Sequence, residues 1–434
     1  MSYKNKLVRG ALLLTAVGFL SRLMGFFYRI FLSHTFSEEA IGLYQLIFPI
    51  FALCIAGCCA GIETALSRTI SRKCSEKKEK EGQHFFLLAL GLSLLCSLCL
   101  LILLQIFSSQ IAVYILREPR CQPLLLLLSY ALPFASIHGC VCGYFFGLQK
   151  TGVPAISQLM EQLFRIGTVC LVCIILSKNG QSPSISCAVF GLVAGEFIAA
   201  FFSLWHVSDF FGTRISPVVL TGFFREFLPL SLPLTANRIF LTLLQSVEAI
   251  LIPVRLQLHG MSASAALSTY GVLTGMALPC ILFPSAITSS ISIMLTPTVA
   301  GLQSKDARHS LTHAIRKSVT FCILLGILSL LLFLVFGQFI GKMIFHSETA
   351  GRFLRTLAWI CPFLYSNSAL LSILTGLGET TQTLLINSAG IFLRILSILF
   401  LVPEFGIYGY LIGLLSSQLL VCLLSFSRLY KEFR

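Results

Sequence analysis

Apolar runs of roughly 20 residues, the length a helix needs to cross about 30 Å of hydrocarbon, recur from one end of this chain to the other. Short polar stretches divide them. Strand-like alternation is absent and turn signals within the runs are few, so the pattern predicts membrane helices and not a barrel. About twelve spans are expected, at 10–32, 40–66, 85–107, 121–147, 153–177, 185–206, 227–253, 266–300, 318–341, 353–375, 383–402 and 408–427. Lys4, Lys6 and Arg9 precede the first run much as charges precede a cleaved leader. Arg22 and Arg29 lie in the continuing segment, however, and no small-residue cleavage site stands out, so a first span is expected.

Two stretches, 134–167 and 363–396, look like copies of one unit: apolar helix, short polar hairpin, apolar helix. Gly147-Leu148 and Arg165-Ile166 of the first match Gly376-Leu377 and Arg394-Ile395 of the second at the same offset, and Gln158 matches Asn387. A duplicated helical hairpin in a very apolar chain is a signature of two-lobed transporters. Residues 207–226, with Asp209, Arg214, Pro217 and Arg225, are polar enough to form a cytoplasmic amphipathic connector. The expected domains are therefore a six-helix bundle at 1–206, the connector at 207–226 and a second six-helix bundle at 227–434. Gly191 and Gly195 in the sixth span match Gly409 and Gly413 in the twelfth, and GxxxG spacing favours close helix packing. Pro49, Pro279 and Pro284 predict bends. The fold class is an all-α integral membrane protein, with two pseudo-symmetric six-helix bundles around a central cavity.

Composition agrees with that pattern. With 56% hydrophobic and 11% charged residues and a mean hydropathy of +0.90, 434 residues cannot cover a soluble globule with polar surface. A net charge of +14 would point to nucleic acid in a soluble protein, but here the placement of the charge sets topology and no nucleic acid partner is expected. With the N terminus inside, 19 basic residues fall in cytoplasmic segments, and only seven, Arg117, Arg120, Lys178, Arg255, Lys342, Arg352 and Arg355, on the other face. The positive-inside rule then gives an even number of spans with both termini in the cytoplasm. The basic cluster at 68–80 reads as a solvated loop that sets orientation and is also able to attract anionic lipid headgroups.

Charges inside the spans carry the functional signal. Arg22, Arg29, Arg165, Arg238 and Arg394 fall within predicted helices, as do Glu63, Glu161, Glu196 and Glu248. Each charge near the bilayer centre costs about 2.5–3.5 kcal/mol on insertion scales, so several must face water or a partner. Glu161 and Arg165 are spaced to pair on one helix face, and Arg29 is placed to snorkel toward the outer interface. Arg22 and Arg238 lie deeper, in the first spans of the two halves, where a cationic cavity would suit phosphate oxygens. Glu63 and Glu196 lack a basic neighbour one helical turn away and are the candidates for ion coupling.

Enzymatic chemistry has less support. The two aspartates, Asp209 and Asp306, lie in loops, no carboxylate cluster suits a metal-dependent transferase and no Walker A sequence occurs. His138 has no acidic neighbour along the chain and reads as a packed or cavity-lining residue. The CxxC pairs Cys96/Cys99 and Cys170/Cys173 sit in apolar helices and read as packing residues. No catalytic residue, metal or cofactor is expected.

In SRLMGFFYRI (21–30), GIETALSRTISR (61–72), GYFFGLQKTGVPAISQLMEQLFRI (143–166), LPLTANRIFLTLLQSVEAILIPVRL (232–256) and GLGETTQTLLINSAGIFLRI (376–395), the chain resembles the multidrug/oligosaccharidyl-lipid/polysaccharide exporter superfamily. The similar branch is that of the stage V sporulation protein B-like oligosaccharide flippases, and the resemblance covers nearly the whole length. It implies a carrier that moves a lipid-linked sugar to the outer leaflet by the rocking of two lobes, near cell-wall synthesis enzymes. It also implies that Arg22 and Arg29 match the basic first-span positions tied to substrate binding in lipid II flippases. Those flippases have two further helices beyond the twelfth, for which the sequence ending at Arg434 leaves no room, so the sugar stays open. A cation-coupled drug antiporter of the same fold competes with this reading, as does a scaffold that transports nothing. Glu63, Glu161 and Glu196 would serve the antiporter, but Arg22 and Arg165 in the same lobe would repel a cationic drug.

Overall fold

The computed structural model describes residues 3–210, 217–303 and 308–433, and every regular element among them is helical. Twelve span units follow one another: α1 (Tyr3–Thr35), α2 (Glu38–Ser75), α3 (Glu79–Ile115), α4 (Pro119–Ser129 with Ala131–Gly147), α5 (Gly152–Lys178), α6 (Ser186–Trp205), α7 (Val219–Leu258), α8 (Ala263–Leu282), α9 (Arg308–Ile344), α10 (Glu348–Gly376), α11 (Thr380–Phe400) and α12 (Ile407–Phe433). Among the described residues, eleven helices are long and apolar enough to cross a membrane, and the bent pair of α4 makes a twelfth. Each overlaps one of the twelve apolar runs, and the run at 266–300 takes in a further helix as well.

Two spans depart from straight helices. The halves of α4 meet at 46°. The run predicted at 266–300 breaks after α8, and a second helix continues as Ser285–Gln303. Pro284 explains the break: it has no N–H to donate, and tight bonds from Phe283 to the Cys280 carbonyl and from Ala286 to the Phe283 carbonyl replace the regular ladder. On α9 the lipid-type face is plain, since Leu324, Leu328, Leu331, Val335 and Phe339 recur at helical spacing and are all exposed.

The chain forms two compact units. The first takes the segment up to Tyr28 together with Leu46–Ser246. Its core joins Ile62, Leu66 and Ile70 of α2 to Phe85 and Phe86 of α3, Val141 and Tyr144 of α4, and Phe223 and Phe227 at the start of α7. The second takes Arg29–Gln45 together with the chain from Val247 onward, and it buries Leu295 and Val299, Cys322 of α9, Leu370, Ile373 and Leu374 of α10, and Val421 of α12.

The duplication is deeper than the hairpins. A Cβ on Gly147 would lie 2.7 Å from the Ser67 carbonyl and against Ile70, and a Cβ on Gly376 would lie 2.7 Å from the Thr296 carbonyl and against Val299. Ser67 and Thr296, like Ile70 and Val299, are separated by the same interval as Arg165 and Arg394. The repeat therefore extends to α2 and Ser285–Gln303. The GxxxG glycines pack as expected: Gly191 and Gly195 press on the Arg165 and Glu161 carbonyls of α5, Gly409 meets the Leu401 carbonyl and Gly413 meets Ser397 of α11.

The basic stretch at 68–80 is not wholly a solvated loop. Lys73 is buried, 2.6 Å from Glu81 and 3.3 Å from Glu226, with its ammonium over the Phe85 ring, and Arg72 also pairs with Glu226. These bonds tie the start of α7 to α2 and α3, which is why part of the charge leaves water. Arg214, Lys305 and Arg434, counted as cytoplasmic from the sequence, lie outside the described residues.

Candidate functional site

The first unit concentrates charge where α4, α5 and α6 pack together. Close approach of α6 to α5 is possible because Gly191 and Gly195 have no side chain, and it brings Glu196 of α6 beside Glu161 of α5. Glu161 and Arg165 form an ion pair within α5. His138 of α4 completes the group, with Nδ1 3.6 Å from Glu196 Oε2 and Nε2 3.0 Å from the Ser157 hydroxyl. A ring nitrogen of His138 and one carboxylate oxygen each of Glu161 and Glu196 lie within 4.8 Å of one another. This corrects the expectation that His138 lacks an acidic neighbour. Its acids arrive from two other helices, a contact that spacing along α4 does not reveal.

Glu63 of α2 borders the same group. A Cβ on Gly143 would meet the Glu63 carbonyl at 2.7 Å and one on Gly139 would run into Cys59 Sγ, so these α4 glycines let α2 approach closely. The Glu63 carboxylate interacts electrostatically with both His138 and Arg238. Arg22 of α1 and Arg238 of α7 are exposed although each lies inside an apolar helix.

In the second unit Arg394 of α11 lies 2.9 Å from Glu248 of α7, and the Tyr410 hydroxyl of α12 donates to the same carboxylate oxygen at 3.0 Å. Glu248 is buried. Tyr410 is the part that sequence reasoning missed, since nothing in its apolar surroundings marks it. Arg29 does not simply snorkel: its guanidinium donates to the Thr274 and Gly275 carbonyls at 3.3 Å each. Those carbonyls belong to the widened turn Val272–Ala277 in α8, where a π-type ladder leaves acceptors available.

The five span arginines thus divide, with Arg22, Arg165 and Arg238 in the first unit and Arg29 and Arg394 in the second. Arg165 and Arg394 are ion-paired, Arg29 donates to carbonyls, and the Arg22 and Arg238 side chains are exposed. All sixteen cysteines are free thiols.

Comparison with known proteins agrees with this architecture. Stage V sporulation protein B of Bacillus subtilis strain 168 is 25% identical over 430 residues, covering 97% of this chain and 83% of that one. Sporulation protein YkvU of the same organism is 23% identical, covering 99% and 96%. Among solved structures, the inward closed lipid II flippase MurJ is similar with a TM-score of 0.74 at 15% identity, covering 97% of this chain and 89% of that chain. An inward-facing multidrug resistance MATE transporter of the MOP superfamily gives 0.70 at 16% identity, covering 98% of each chain. A Pyrococcus furiosus MOP transporter described as having a binding pocket of reverse polarity gives 0.67 at 14%, covering 99% and 96%. These likenesses give the chain the fold of the MOP superfamily. The family model described as polysaccharide biosynthesis protein matches residues 7–303, and the chain belongs to that family of multi-pass membrane proteins.

Proposed function

We propose that this protein is a flippase that carries a polyprenyl-pyrophosphate-linked saccharide from the cytoplasmic to the outer leaflet by alternating access. The precursor would serve cell-wall, spore-cortex or polysaccharide synthesis. The observation that carries the reading is the exposure of two guanidinium groups, Arg22 and Arg238, inside apolar helices. A guanidinium exposed to lipid at that depth is costly, so an aqueous path is the cheaper surrounding. Two guanidinium groups on such a path suit a diphosphate, which accepts paired, charge-assisted hydrogen bonds. Arg22 and Arg238 receive the headgroup in this reading, and Arg29, Arg165 and Arg394 contribute when their present bonds open. Family membership supports the class of cargo.

The moving lobes in this reading are residues 1–206 and 227–434, with 207–226 as a cytoplasmic connector and both termini inside. No covalent chemistry is assigned to the chain. Its partners are the membrane lipid, its lipid-linked cargo and the enzymes that build the precursor inside and polymerise it outside. Outward movement of an anion gains about 2.3 kcal/mol per charge per 100 mV of inside-negative potential, and Glu63 and Glu196 are the carboxylates available for additional proton or cation coupling. The half-buried Glu161 and the buried Glu196 of the first unit favour the second reading, a cation-coupled drug antiporter.

Reconstituted vesicles holding a fluorescent polyprenyl-diphosphate sugar separate the two. The flippase reading expects translocation that accelerates under an imposed inside-negative potential. It also expects Arg22→Ala and Arg238→Ala to slow translocation about tenfold or more at unchanged thermal unfolding. Exchange of a cationic dye for protons, with no movement of the anionic lipid, would replace it by the antiporter reading.

A further inference from the structure

The group at His138 is short of one positive charge. Glu161 and Arg165 neutralise each other. Glu196 is only 9% exposed, and its Oε2 accepts no hydrogen bond from any described residue. A bare carboxylate in that position would bear a large desolvation cost at that oxygen. The atom facing it is Nδ1 of His138, 3.6 Å away.

The proton on the imidazole can be assigned from its other side. Ser157 has one hydroxyl proton, and that proton goes to the Pro154 carbonyl at 3.0 Å, the usual local bond of a helical serine. The Ser157 oxygen therefore accepts from His138, which puts a hydrogen on Nε2. Nδ1 of the neutral ring would then turn a lone pair toward the buried carboxylate. Two acceptors cannot face each other at this distance without a cation between them, and one proton balances the charge where a divalent ion would overshoot.

We propose that His138 and Glu196 bind one proton between them, as a buried imidazolium–carboxylate pair whose tautomer Ser157 fixes. Among the described residues, the other charged and titratable groups around it are Glu161 and Arg165 from α5, Glu63 and Cys59 from α2, Cys142 from α4 itself, and, through Glu63, Arg238 from α7. Arg165 compensates Glu161 and Arg238 acts on Glu63, so the vacancy belongs to Glu196. The proton site stands whatever the protein carries. Its use in driving transport rests on the flippase or antiporter reading above.

Histidine C2-hydrogen exchange, followed by mass spectrometry on the full chain in detergent across pH, reads the His138 proton directly. In Glu196→Gln the His138 midpoint should fall by about one to three pH units, because the amide donates to Nδ1 and no longer rewards the charged ring. In Ser157→Ala the midpoint should move by less, since the hydroxyl orients the ring and does not neutralise it. Elution as a single species and an unchanged melting temperature serve as the folding control. A midpoint unmoved in Glu196→Gln would overturn the proposal. So would calorimetric binding of zinc to the parent that Glu196→Gln and His138→Asn both abolish, which would make the group a metal site. If His138 titrates as expected while vesicles move no anionic lipid, the flippase reading fails and the proton site remains.

Discussion

Placed on the common offset, the two repeat copies have the same helices and different chemistry. His138, Gly139, Glu161 and Arg165 of the first stand where the second has Asn367, Ser368, Gly390 and Arg394, and Glu63 stands where it has Ser292. In the first copy the carboxylate for the arginine comes from one turn earlier on the same helix. In the second that position is Gly390, and Glu248 from another helix answers Arg394. Where the first copy has the titratable pair Glu63 and His138, the second has neutral amide and hydroxyl bonds: Ser292 to Ser368 at 2.8 Å, and Asn367 to the Gln418 side chain and carbonyl. The duplicated scaffold fixes the arginine, and the partners diverge. The first unit keeps a surplus acid able to take a proton, and the second closes its charges.

The largest test of that contrast is the loss of each arginine's partner. Glu248→Ala would remove the buried carboxylate that answers the half-buried Arg394, at a cost of about 3–5 kcal/mol. Glu161→Ala should cost less, about 1.5–3 kcal/mol, because Glu196 has an oxygen within 4.8 Å of Glu161 and can take over Arg165. Thermal unfolding of both variants ranks them, and equal losses would remove the claim that the first copy holds an acid in reserve.

Packing offers a smaller test. Gly195→Ala drives a methyl group toward the Glu161 backbone carbonyl, and Gly413→Ala drives one into the Ser397 side chain. Each should cost about 1–3 kcal/mol. Ser397→Gly should recover much of the second loss, whereas no side-chain change opposite Gly195 can recover the first. Rescue of neither, read as melting temperature, would mean that the helix backbones set both contacts.

Twelve spans, the hairpin duplication and the GxxxG contacts could be read from the sequence because they depend on periodicity and local spacing. The Glu161–Arg165 pair could be read for the same reason. The acids around His138 and the Glu248–Arg394–Tyr410 group could not, since each joins side chains from separate helices. One signal was nevertheless present: His138 and Asn367 occupy equivalent places in two otherwise apolar helices, and a polar residue kept at both marks a shared inward-facing position. The burial of Lys73 was hidden in a charge run whose partners, Glu81 and Glu226, come from a neighbouring helix and from the start of α7.

The finest test moves the first copy's histidine into the second. Asn367→His gives up donor bonds of 2.9 Å and 2.8 Å to Gln418, a loss of about 0.5–1.5 kcal/mol. Its counterpart site offers an amide and hydroxyls and no surplus carboxylate, so the new imidazole gains nothing from becoming charged and should stay neutral through the physiological range. His138 in the same molecule serves as the internal reference, and histidine exchange reads both rings in one experiment. A new histidine that holds its proton as firmly as His138 would show that the helical scaffold, common to both copies, sets the charge. One that stays neutral beside a protonated His138 assigns the difference to Glu196 and its neighbours.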